Sequence, residues 1–172
     1  MKRKLIILFA GILFTVSAVQ QVNGQTEAYD AASTSATIIT PIAISKTVDL
    51  NFGNIVAGTT GTVTVGTDDS RSSTGGVTLP SATPGTITAA QFDVTGLANA
   101  TYSITAPASF NITGPGDDME VSTFVTDPTP TGTLDDDGKQ TISVGATLVV
   151  GENQTAGTYT NADALVITVA YN

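Results

Sequence analysis

The chain has no histidine and no cysteine. Nucleophilic triads of the Ser–His or Cys–His kind therefore cannot form, and zinc sites built from imidazole and thiolate cannot form either. What chemistry remains belongs to carboxylates, which gather as Asp68-Asp69, Asp117-Asp118 and Asp135-Asp136-Asp137. A glycosidase needs two carboxyl groups facing one cleft, one of them kept protonated by burial. These three groups sit beside glycines, between apolar runs, as solvated turn residues do. We expect no enzyme.

Calcium is the one inorganic ligand that suits such groups, because a hard cation takes several carboxylate and carbonyl oxygens. Asp135 and Asp137 are the candidates. Adjacent residues cannot all point at one ion, and Asp135-Asp136-Asp137-Gly138 lacks both the Asp-x-Asp-x-Asp-Gly spacing and a downstream glutamate. An Asp-Gly hairpin turn leading into Lys139 is the simpler reading. No cofactor is expected. The absence of tryptophan also limits a sugar site, whose stacking platforms would have to be tyrosine or phenylalanine.

The elements that hold these turns are strands. The tail shows the pattern: Leu165, Ile167, Val169 and Tyr171 alternate with Thr168 and Asn172, the period-2 signature of a half-buried strand. Similar alternation runs through Val48–Phe52, Thr62–Val65, Gln91–Thr95, Thr101–Thr105, Phe110–Ile112 and Met119–Val125. Lys139–Val150 is the longest candidate, with Ile142, Val144, Ala146 and Leu148 on one face. Gly66–Gly76 reads as a polar loop and Asp127–Gly132 as a Pro-rich connector. About ten short strands with turn signals between them, and no helical periodicity, predict an all-β antiparallel sandwich of immunoglobulin-like type. Its expected core is Phe52, Phe92, Tyr102, Phe124, Ile142, Val144, Leu148, Leu165, Ile167 and Val169. Tyr159 stands where a tyrosine corner would, just before the last strand; a surface tyrosine is the alternative.

Residues 1–24 are expected to lie outside this fold. Lys2, Arg3 and Lys4 precede an apolar stretch from Leu5 to Val19, and Val22-Asn23-Gly24 ends on a small residue. That is the layout of a cleaved secretory signal peptide, and the apolar run is shorter than the ~20 residues of a spanning helix. We expect export to the periplasm, cell surface or medium, and no membrane span after cleavage. The whole chain carries a net charge of −9; without the three leader cations, three basic residues face fifteen acidic ones, a balance of −12. Nucleic acid is excluded as a partner by the missing basic footprint. Residues 25–35 are polar and aperiodic and read as a flexible lead-in, which leaves 36–172 as one domain.

Several segments in order carry a resemblance: Leu50-Asn51-Phe52-Gly53-Asn54-Ile55, Gly61-Thr62-Val63-Thr64-Val65, Asn99-Ala100-Thr101-Tyr102-Ser103-Ile104, Gln154-Thr155-Ala156-Gly157-Thr158-Tyr159, and the terminal Ile167–Asn172 run. Together they resemble a family of secreted bacterial proteins known as domain of unknown function 4402. More distantly they look like spore-coat-U and fimbrial subunits, which end on an alternating strand with a penultimate tyrosine, here Tyr171. The distant resemblance implies an immunoglobulin-like sandwich and assembly by strand donation. This chain departs from it by having no cysteine for the disulfide that many such subunits carry.

The expectation is thus a structural, pilin-like or surface-assembly subunit, with self-association or other surface proteins as partners. The alternative is a monomeric secreted adhesion module for a glycan or protein. Assembly turns on Ala36–Ser45, where Ile38, Ile42 and Ile44 are apolar and Pro41 interrupts the run. Proline cannot donate to a ladder, so the segment is an edge strand or a split one. We expect it to dock on its own domain; the alternative is donation of Ile38, Ile42 and Ile44 into a neighbouring copy.

Overall fold

Period-2 alternation of threonine with valine, isoleucine and alanine dominates the computed structural model, which describes residues 27–172. The leader reading (1–24) and the start of the lead-in fall outside the described residues. Residues 27–37 are exposed and carry no strand; a compact unit spans Ile38–Asn172. Its strands are β1 Ala43–Val48, β2 Asn51–Phe52, β3 Gly61–Val65, β4 Arg71–Gly75, β5 Ile87–Thr88, β6 Ala90–Thr95, β7 Thr101–Thr105, β8 Ser109–Ile112, β9 Met119–Asp127, β10 Thr131–Thr133, β11 Lys139–Val150 and β12 Thr168–Tyr171. There is no helix among the described residues. The protein is an all-β, antiparallel, sandwich-like fold.

β11 is the spine, with the boundaries its alternation predicts. Ser143 and Val144 pair with β6 on one edge and β9 on the other, while Thr147 and Leu148 pair with β3 and β9. So β6 and β3 lie end to end along one edge of β11, and β9 runs along the opposite edge. β1 adds outside β6, β4 outside β3 and β8 outside β9, making a seven-stranded sheet. The second sheet is only β10-β7-β12, and β2 with β5 forms a separate pair.

Ile142, Val144, Ala146, Leu148 and Val150 all point to the inner face of β11 and are buried. They belong to two clusters. Ile142 and Val144 join Phe92, Val94, Tyr102, Leu134 and Ile167, between the first sheet and the three-stranded one. Ala146, Leu148 and Val150 join Phe52, Val63, Val65, Met119 and Val121, where the three-stranded sheet does not reach. That half is covered instead by the short β2-β5 pair, with Phe52 and Ile87, and by irregular segments carrying Leu50, Ile55, Leu79 and Tyr159. Each fully buried aliphatic stabilises by about 1.5–3 kcal/mol relative to exposure. Of the ten expected core residues, Phe124, Leu165 and Val169 are half-buried and the other seven buried.

Several boundaries differ from expectation. Val48–Phe52 is not one strand: β1 ends at Val48 after a register shift between Lys46 and Val48, and β2 starts at Asn51 to pair with β5. The strand expected within Ala36–Ser45 begins only at Ala43, two residues past Pro41. The polar Gly66–Gly76 loop contains β4. A tight turn makes it, with the Gly66 amide donating to the Ser70 carbonyl at 2.8 Å and the Ser70 amide to Asp68 at 3.1 Å. An edge strand with few apolar neighbours needs no aliphatic alternation, so Arg-Ser-Ser-Thr-Gly suffices. The Asp127–Gly132 connector runs into β10, and Val77–Leu79 contributes only an isolated bridge, Val56 with Thr78. The last strand begins at Thr168 rather than Leu165. In β9, Thr123 adopts φ 52° and is exposed, and Thr123 with Phe124 faces the single residue Ala146. This bulge flips the parity, so Phe124 turns inward after Val121.

Candidate assembly surface

Pro41 fixes where the chain can enter the sheet. β1 pairs with β6 through Ala43↔Thr95 and Ile44↔Val94. Continuing that register two residues places Pro41 across from Leu97. Proline has no N–H, so the regular ladder stops there. Tyr171 bridges the break: its hydroxyl accepts the Leu97 amide at 2.6 Å and donates to the Thr40 carbonyl at 2.9 Å. Gly96 is needed for this approach, because a Cβ there would meet the Tyr171 hydroxyl.

The residues expected to act in assembly thus divide. Ile42, Ile44 and Tyr171 are half-buried and pack on the same cluster as Phe92 and Ile142. Ile38 stays 98% exposed, and Ile39 beside it is also exposed. The structure docks Ala43–Val48 in its own sheet, at an edge.

Along the side of the sandwich bounded by β1, the two layers do not close. A small opening of about 310 Å³ lies between Ile44 and Lys46 on β1 and the Ala162–Ile167 segment. A larger cleft, about 1190 Å³, shares Lys46, Phe92 and Leu165 with it. It reaches over the inner face of the first sheet, where Phe110, Ile112, Met119, Val121, Leu148 and Val150 line it, with Phe52 of β2 beside them. Asn51, Asn54, Gln154 and Asn161 add polar groups to its lining.

Four polar fixtures hold the cleft walls. Arg71 reaches from β4 under the Phe52–Asn54 turn, and its Nη1 donates to the carbonyls of Phe52 at 2.8 Å, Asn54 at 3.1 Å and Pro84 at 3.3 Å. On the opposite wall the half-buried Tyr159 donates its hydroxyl to the Thr155 carbonyl at 2.9 Å, a tyrosine-corner bond. Thr113 and Thr160 exchange amide–carbonyl bonds at 3.1 and 2.9 Å, and Gln154 donates to the Asp117 carbonyl. Neither Arg71 nor the cleft was foreseen from sequence. The signal for Arg71 was available: it is the one arginine among the described residues, set in a stretch otherwise of Ser, Thr and Gly.

The carboxylates stand in turns. One Asp135 oxygen accepts the amides of Asp137 at 3.0 Å and Lys139 at 2.8 Å, and Gly138 follows at φ 73°. That oxygen is engaged in closing the hairpin, and Asp137 is exposed in the same turn. Among the described residues no three or more acidic side chains come together as a metal site. Asp68 is held below its ordinary carboxyl range by the Ser70 hydroxyl, and further by the Ser70 amide. Burial raises the Tyr102 phenol above its ordinary value; its hydroxyl donates to Gln140 at 2.7 Å.

No curated protein and no solved structure matches the chain. A family model described as domain of unknown function (DUF4402) matches residues 42–171. The match runs from the residue before β1 to the last residue of β12 and so takes in both sheets and the cleft. The chain belongs to the DUF4402 family.

Proposed function

We propose that this chain is a non-enzymatic exported structural protein, a pilin-like or cell-surface assembly subunit whose copies join along the open side of the sandwich. The observation that carries this reading is the mismatch between a seven-stranded and a three-stranded sheet. It leaves a cleft with an apolar floor and polar walls, with the β1 edge on one side and exposed Val166 beside the other. Unpaired strand edges recruit other chains, and apolar surface beside them supplies the driving force. The leader-like N-terminus supports export. The absence of histidine and cysteine, with acids confined to turns, supports a role without catalysis.

The test is sedimentation velocity with negative-stain imaging on the exported, leader-free protein over a range of concentrations. Oligomers or fibres are the expected outcome. A protein that stays monomeric throughout removes the proposal. Deleting Gln25–Ser45 separates the routes. Docking of β1 on its own sheet predicts a destabilised monomer, since Ile42 and Ile44 leave their cluster. A deletion that keeps full thermal stability and loses only oligomers marks the segment as a donor to a neighbour.

A second reading, a monomeric secreted adhesion module, is favoured by the same cleft. About 1190 Å³ exceeds the ~300–1,000 Å³ typical of ligand pockets, and Asn51, Asn54, Gln154 and Asn161 line it, each with one end of its amide bonded within the chain and the other end left for a glycan or peptide. A monomer that binds a glycan or protein ligand, and loses binding on Asn54→Ala, supports this reading over assembly.

A further inference from the structure

We propose that the Tyr171 hydroxyl is a latch on the chain's entry into β1, and that releasing it opens the β6 edge to another copy. The second half rests on the assembly reading above; the first half stands on geometry alone. β1 is an edge strand held by β6, and its ladder cannot extend past Pro41. Immediately beyond that point one hydroxyl takes the Leu97 amide and holds the Thr40 carbonyl. It therefore ties the end of β12, the turn after β6 and the approach to β1 at one atom. Outside this tie the chain offers no regular pairing: residues 38–42 form no strand and Ile38 and Ile39 are exposed.

With the latch closed, Ile42 and Ile44 stay against their cluster and β6 is paired on both edges, by β1 and β11. With the latch open, β1 frays from its N-terminal end, because local opening starts where the fewest bonds hold. Fraying exposes backbone groups from Thr95 towards Phe92, a template for a strand of a second copy.

Tyr171→Phe removes the hydroxyl and keeps the ring in the core. Gly96→Ala keeps the hydroxyl and pushes it away with a Cβ. Hydrogen exchange on the leader-free protein, at a concentration where it is monomeric, reads the latch directly. Both variants are expected to speed exchange across Ile42–Lys46 by about two- to tenfold, the factor corresponding to one net hydrogen bond, with β11 unchanged. Unchanged exchange at Ile42–Lys46 in both variants overturns the proposal, as does an equal rise across β11. Sedimentation then separates the two readings. Assembly of the variants at several-fold lower concentration than the wild type supports the latch as a control. Assembly at the same concentration overturns that control. If exchange loosens but neither wild type nor variants assemble, the latch stands and the assembly reading falls.

Discussion

Replacing Ile142 by alanine strips the γ and δ carbons from a side chain with no exposed surface, in the cluster between the two sheets. Leu148→Ala does the same in the other cluster, at 1% exposure. Truncations of this kind cost about 2–5 kcal/mol each, the spread reflecting how far the site collapses. Both residues lie on β11, six positions apart, which at a strand rise of ~3.3 Å is about 20 Å. Sites that far apart add within about 0.5 kcal/mol. The double variant should lose about 6 kcal/mol if each single loses about 3, close to the whole stability of an ordinary domain at about 5–15 kcal/mol. Urea unfolding followed by circular dichroism and by tyrosine emission is the assay, since Tyr102 lies in the Ile142 cluster and Tyr159 packs on the Leu148 cluster. One coincident transition is expected from both probes, because β11 threads both clusters and Leu50 and Phe124 pack on both. Two separated transitions, in the wild type or in the Ile142→Ala variant, would refute the idea of a single spine.

Arg71→Met keeps the aliphatic stem and leaves the carbonyls of Phe52, Asn54 and Pro84 without their shared donor. A loss of about 2 kcal/mol is expected by chemical denaturation, and no loss would show that water replaces the guanidinium. Burial raises the Tyr102 pKa above its ordinary 10.0. The stability tied to its neutral form is present below that value and is lost as pH rises through the folded-state pKa. Melting temperature should therefore fall above pH 10, and Tyr102→Phe should lessen the slope; an unchanged slope argues against that assignment. Calcium at millimolar concentration should leave the melting temperature unchanged, since an Asp135 oxygen is engaged in its own turn. A rise that Asp135→Asn abolishes would overturn that reading.

How far the sequence reveals this fold depends on what each strand must satisfy. β11, β6 and β7 read clearly because one of their faces is buried between layers, and burial forces alternation on Ile142–Leu148, Phe92–Val94 and Tyr102–Ile104. β4 was unreadable because an edge strand of Ser and Thr, with Arg71 turned back on carbonyls, carries no apolar period. Phe124 was expected in the core, but the Thr123 bulge that turns it inward was not legible, since a single left-handed residue shifts parity without any composition signal. At the candidate site, the sequence marked Ile38, Ile42, Ile44 and Tyr171 as a group; the last three meet on one cluster, and Ile38 stays exposed. It could not show that a hydroxyl would bridge the gap left by Pro41. The cleft was also hidden, because its lining comes from strands and loops far apart in the chain.

The unequal sheets explain why these polar fixtures are where they are. Over Ile142 and Val144, the β10-β7-β12 sheet supplies a continuous hydrogen-bonded cover. Over Leu148 and Val150 no such cover exists, and the segments that lie there have few ladder bonds of their own. Side-chain bonds to the backbone stand there in place of ladder bonds. Arg71 supplies donors to three carbonyls on one wall, and Tyr159, Gln154 and the Thr113–Thr160 bridge do the same on the other. A cover held by single side chains opens at less cost than one held by a ladder. The cleft therefore lies where the fold is easiest to part, next to an edge strand whose entry depends on one tyrosine hydroxyl. Strand edge, apolar floor and weak cover coincide on one side of the molecule, and that coincidence makes this side the place to look for a partner.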